Sequence, residues 1–143
     1  MIASRIAAAL LVLLVAVLPA GAAEFTDAVA RKMVKDATAL VKKGKYLRGP
    51  AITSALIGRQ FYARQPGSAA IPTFQFYSTG YTVSLGFNSA LYDWKVSGNM
   101  FCSKLRTASA YVCKHRVVKL TDGTVLVGTA GAKSIAMRPR IKA

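Results

Sequence analysis

Acidic side chains are scarce in this chain: five Asp and Glu stand against twenty Lys and Arg in 143 residues, and histidine occurs once. The acids are Glu24, Asp27, Asp36, Asp93 and Asp122, and they form no paired-carboxylate arrangement for general acid and base work. Cysteine occurs twice, as Cys102 and Cys113, and with His115 as the sole imidazole the set is too small for a zinc site. A Gly-rich phosphate loop and a His-Glu-x-x-His helix are both missing. The sequence therefore assigns no catalytic residue, no metal ligand and no cofactor. One couple remains open to an enzyme acting on cell wall or polysaccharide: Asp93 with His115, which requires both within hydrogen-bond reach in a cleft. A solvated strand carboxylate is the simpler expectation for Asp93.

What is present begins with a hydrophobic leader. Arg5 precedes an apolar run over 6–18, followed by Pro19-Ala20-Gly21-Ala22. A basic start, a short apolar core and small residues before a cut are the layout of a secretory signal peptide. A bilayer-crossing helix needs about 20 apolar residues, more than this run supplies. Cleavage after Ala22 is expected, with Ala23 close behind, and a retained single-pass anchor is the alternative. No cysteine follows the apolar core, which argues against a lipoprotein anchor. The expected organisation is a leader over 1–22, one exported domain over 23–137 and a loose basic tail over 138–143. The address is periplasmic or secreted. Disulfides persist in such compartments, so Cys102 and Cys113 are expected to be bridged.

A formal charge of +15 draws a protein toward polyanions. Export puts envelope polymers and anionic lipid surfaces nearer than nucleic acid. An acidic protein is the other partner class. The candidate anion-binding residues are Arg31, Lys32, Lys35, Lys42 and Lys43, with Lys114 and Arg116 further along.

Thr26-Asp27 opens a helix predicted over 27–43. Val29, Met33, Ala37, Leu40 and Val41 share one face, and Gly44 provides the stop. The charged face is read as solvated and the apolar stripe as packed on its own domain, with binding to an anionic membrane surface as the competing reading. Pro50 suits the first position of a second helix reaching Ile57 and Gly58, with Leu47, Ile52, Leu56 and Ile57 facing inward.

Beyond a loop over 64–72, aromatic and β-branched runs alternate with turn residues. Strands are predicted at 73–78, 81–87, 91–97, 99–106, 110–119, 124–129 and 134–138. Tight turns are predicted at Thr79-Gly80, Gly98-Asn99 and Asp122-Gly123. A hairpin centred between Thr107 and Ala108 sets Cys102 opposite Cys113. The fold class is α+β: a basic helix, a short second helix, and an antiparallel sheet of six to seven strands that closes into a small barrel at its limit. Aromatics among strand cations, such as Tyr92, Trp94 and Tyr111 among Lys95, Lys104 and Arg106, resemble a binding platform. Sheet cores need aromatics too, and alternation sends about half inward whatever the ligand.

The stretches Leu47-Arg-Gly-Pro-Ala-Ile-Thr-Ser-Ala-Leu-Ile-Gly58, Phe76-Tyr77-Ser-Thr-Gly80, Asp93-Trp94-Lys-Val-Ser-Gly98-Asn-Met-Phe-Cys102 and Tyr111-Val-Cys113 resemble short exported alphaproteobacterial proteins of unknown function. The resemblance spans about residues 47–115 and implies a leader, a disulfide and a small β-rich fold. It carries over no catalytic residue. Size, export and charge also resemble virulence-associated periplasmic proteins as a class. The functional expectation is a non-catalytic accessory protein that binds an anionic envelope component. Its alternatives are an interaction or inhibitor protein docking on an acidic protein surface, and the cell-wall or polysaccharide enzyme.

Overall fold

In the computed structural model, which describes residues 24–140, eight antiparallel strands close into a barrel in chain order. They are β1 (Gln60–Arg64), β2 (Thr73–Phe76), β3 (Gly80–Leu85), β4 (Asn88–Ser97), β5 (Met100–Leu105), β6 (Val112–Leu120), β7 (Gly123–Gly128) and β8 (Ile135–Pro139). Two helices precede them, α1 (Asp27–Lys42) and α2 (Pro50–Leu56). The expected leader over 1–22 lies outside the described residues. The expected α+β class is present, and the sheet takes the small-barrel form that the sequence left open.

Local signals start and stop α1. The Thr26 side chain accepts from the Val29 amide at 3.2 Å, satisfying one of the donors that a helix start leaves unpaired. Gly44 takes a φ of 72°, its amide bonds to the Val41 carbonyl, and the Lys45 amide reaches back to Leu40. That pair of bonds is a Schellman ending, which glycine permits without steric cost. Ala30, Met33 and Ala37 are buried against Tyr62, Val118, Val125, Val127 and Ala136 on the outside of the barrel. The apolar stripe of α1 is thus occupied by its own domain.

Side-chain alternation divides β1, β6, β7 and β8 between two cores, while β2 to β5 contribute to the interior one alone. Phe61, Phe74, Phe76, Tyr81, Trp94, Phe101, Val117, Leu126 and Met137 fill the barrel interior. Ile52 and Leu56 of α2 join that cluster, and the Gly58 amide donates to the Phe76 carbonyl at 3.0 Å, so α2 stoppers one end. The Trp94 indole donates to the Tyr77 carbonyl at 2.9 Å at the same end. The opposite end, ringed by the β1–β2, β3–β4, β5–β6 and β7–β8 connections, is open. Outside, the strands carry charges such as Lys95, Lys104 and Arg116. An apolar interior with a charged exterior is the reverse of a barrel that spans a bilayer.

Several sequence expectations are corrected. There are eight strands, not six or seven, the addition being β1. Residues 81–87 are not one strand: Leu85 pairs with Asn88, and Gly86-Phe87 forms a turn with Gly86 at φ 60°. Gly80 opens β3 and is not a turn residue. The β6–β7 turn is Thr121-Asp122, because Gly123 already pairs with Leu120. Ile57 is exposed, since α2 ends one residue before it. Arg138 and Pro139 are not tail but barrel wall, paired with Tyr62 and Phe61 of β1.

Candidate functional site

Asp93 and His115 are not brought together. Trp94 points into the barrel, so its neighbour Asp93 faces outward, where Arg106 Nε donates to it at 2.8 Å and Lys104 Nζ lies 3.2 Å away. The hydrogen bond from Arg106, followed by that from Lys104, holds the Asp93 carboxyl below its usual pKa. His115 shares the inward face of β6 with Val117, and its Nε2 lies 2.9 Å from the Lys133 carbonyl. The two groups occupy opposite faces of the barrel wall, so the couple required of a hydrolase at these positions is not formed. Among the described residues, no group of three or more His, Cys, Asp or Glu is placed to hold a metal.

Cys102 and Cys113 are bonded, with S–S 2.05 Å. Ser103 pairs with Val112, while Phe101 pairs with His115. The hairpin therefore has the expected register at its outer end and a bulge just inside it. The bridge lies on the outer face beside Lys95, which pairs with Cys102. Tyr111 lies over the same patch, with Lys95 Nζ 4.5 Å and Lys104 Nζ 5.5 Å from its ring centroid.

The predicted anion-binding cations separate into three places. Arg31 and Lys32 are paired along α1 with Asp27 and Asp36, and Asp122 adds a negative charge near Lys32. This half of the helix is close to neutral. Lys35, Lys42 and Lys43 are exposed. Lys114 is exposed at the open end of the barrel, its carbonyl accepting from the Thr129 amide at 2.8 Å. Arg116 lies elsewhere on β6, with its guanidinium 4.5 Å from the Tyr46 ring centroid and donating to the Asn99 carbonyl at 3.3 Å.

Sequence reasoning passed over Lys45 and Arg48. The Leu47 amide donates to the Val117 carbonyl at 2.8 Å, so the chain leaving α1 runs along β6. Arg48 thereby shares the Tyr46 ring with Arg116, at 4.2 Å. Lys42, Lys43, Lys45, Arg48 and Arg116 form one cationic face as a result. The run from Lys42 to Arg48, with four cations around one tyrosine, was the signal available.

Recesses lie at both ends of the barrel. At the stoppered end, Arg59, Lys119 and Arg140 border a groove of about 450 Å³. At the open end, a cavity of about 350 Å³ enters the barrel between Phe74, Val83, Phe101, Leu126 and Ile135, with Gln65, Ser68, Ser103 and His115 near its rim. Cavities in the mouths of barrels are a preferred position for ligands.

The architecture defines the class: a closed, up-and-down eight-stranded barrel with one face covered by a helix. Compared with known proteins, the chain matches no family model, no curated protein and no solved structure. No helix among the described residues is long and apolar enough to cross a membrane.

Proposed function

We propose that this protein works outside the cytosol, in the periplasm or after secretion, as a non-catalytic accessory protein that holds an anionic component of the cell envelope. The surface is the cationic face where α1 hands over to β6. One observation carries the reading: Lys42, Lys43, Lys45, Arg48 and Arg116 gather there, and among the described residues none of them has a carboxylate within 4.0 Å. Like charges held together repel each other, and a polyanion relieves that repulsion. Arg48 and Arg116 already rest on Tyr46, so part of the ordering cost of binding is met before the ligand arrives. The leader pattern and the Cys102–Cys113 bridge support the address, since such bridges persist in oxidising compartments.

The test compares the wild-type protein with a variant carrying Lys42→Gln, Lys43→Gln, Lys45→Gln and Arg48→Gln on immobilised lipopolysaccharide, at low and high salt. The expected result is salt-sensitive retention of the wild type, and binding by the variant weaker by at least about tenfold. Equal retention of both proteins, or retention indifferent to salt, counts against the proposal. Recovery of one stoichiometric acidic protein as the bound species would transfer the same face to a protein partner.

A further inference from the structure

We infer that the open end of the barrel is a lipid site, in which the cavity takes one acyl chain of an anionic lipid and the β3–β4 turn enters the bilayer interface. This rests on the proposed function only in taking the ligand to be anionic.

The cavity's size and lining indicate a neutral, flexible occupant. Its volume of about 350 Å³ falls within the roughly 300–1,000 Å³ of small-molecule sites. No Lys, Arg, Asp or Glu lines it, so a charge has no partner inside. The aromatic rings around it are committed to one another. Tyr81 is stacked against Phe76 at 5.0 Å and against Tyr92 at 4.9 Å, its cross-strand neighbours on the two sides. Both faces of Tyr81 are therefore taken, and the aliphatic groups of Val83, Leu126 and Ile135 form much of the remaining surface that meets a ligand. Those contacts suit a hydrocarbon chain better than a flat ring seeking a stacking partner.

The rim carries what a membrane surface would recognise. Leu85, Phe87, Leu105 and Val112 are all exposed, and all four belong to strand ends or turns around the open mouth. Phe87 is fully exposed at the tip of the Gly86-Phe87 turn and packs into neither core. Lys114 and Lys133 are exposed beside His115, in position for an anionic headgroup left outside the cavity. Protruding apolar side chains flanked by cations match the chemistry of an anionic interface.

Trp94 supplies the measurement, because it is the only tryptophan and stacks at 5.9 Å on Phe101, which lines the cavity. Purified protein is titrated with oleate below its micelle concentration, then with phosphatidylglycerol and phosphatidylcholine vesicles, with all variants in the same processed form. Oleate is expected to change Trp94 emission saturably at one equivalent and to raise the melting temperature. Binding to phosphatidylglycerol and not phosphatidylcholine vesicles is expected. Phe87→Ser should weaken vesicle binding by about tenfold or more and leave the oleate response intact. Ala70→Phe, on the rim, fills space without adding a second indole and should weaken the oleate response by about tenfold. If that variant does not fold, displacement of a fluorescent fatty acid by oleate from the wild-type protein measures occupancy of the same cavity. Absence of any oleate response or displacement overturns the inference, as does vesicle binding indifferent to Phe87→Ser, or a dimer that Phe87→Ser dissociates. The variant lacking Lys42, Lys43, Lys45 and Arg48 should retain full oleate binding. Loss of lipid binding with lipopolysaccharide retention intact therefore removes this inference alone.

Discussion

The Arg116 guanidinium lies 4.5 Å from the centroid of the Tyr46 ring, and Arg48 shares that ring at 4.2 Å. One aromatic side chain thus orders two cations from segments distant in sequence. Tyr46 also packs against the core beneath α1, so it links the fold to the charged face above it. Tyr46→Ala is expected to cost about 1–2 kcal/mol in stability and to weaken lipopolysaccharide retention several-fold. Tyr46→Phe keeps the ring face and should preserve both, as urea denaturation and salt elution would report.

The bridge between Cys102 and Cys113 closes a short loop over the β5–β6 hairpin. Restricting the unfolded chain over so short a loop is worth about 3 kcal/mol. Reduction, or Cys113→Ser, should lower the urea midpoint accordingly, with the barrel's circular dichroism signature retained below the transition.

Two glycines separate crowding from backbone strain. A Cβ on Gly123 would stand 2.1 Å from the Met137 carbonyl oxygen and 2.8 Å from Met33 Cε, whereas one on Gly86 would meet nothing within 4 Å. Gly86→Ala is expected to cost about 1–2 kcal/mol, from its positive φ alone. Gly123→Ala must push β8 away and should cost more, about 3 kcal/mol or above. Thermal melts of the two variants side by side would check the order.

Stability should fall at both ends of the pH range. The Asp27 carboxyl is held below its usual pKa by the Gly67 amide and then by Arg31, and that of Asp93 by Arg106 and then Lys104. Both depressed groups favour the folded state fully above about pH 4. That contribution is lost as pH falls through their folded values. Tyr81 moves the opposite way, pushed up to about 12 chiefly by burial. Its contribution is complete below about pH 10 and disappears as pH rises toward its folded value. Urea midpoints against pH should flatten at the acid end in Asp93→Asn. Ultraviolet titration should find one tyrosine ionising only as the barrel opens.

Legibility followed the range of the interaction. Helix α1, its Gly44 stop and the 102–113 pairing were readable because caps, helical spacing and hairpin register involve near neighbours. Strand β1 was not. Phe61, Tyr62 and Ala63 are all buried, with Phe61 and Ala63 inside the barrel and Tyr62 beneath α1. Burial on both faces erases the polar alternation that announces a strand. In the binding surface, Lys42 and Lys43 stood out as a charged helix end, while Arg48 gained its meaning only beside Arg116.

The order of residues alone settled the one-sided charge, the first helix and the β-rich second half. Composition, caps and alternation act over a few residues and need no partner. Closure of β8 onto β1, the sharing of Tyr46 by two arginines, the separation of Asp93 from His115 by the barrel wall and the open mouth below Phe87 were decided by the tertiary fold. Each depends on which distant strands become neighbours, and that is set by burying two cores at once, one inside the barrel and one beneath α1.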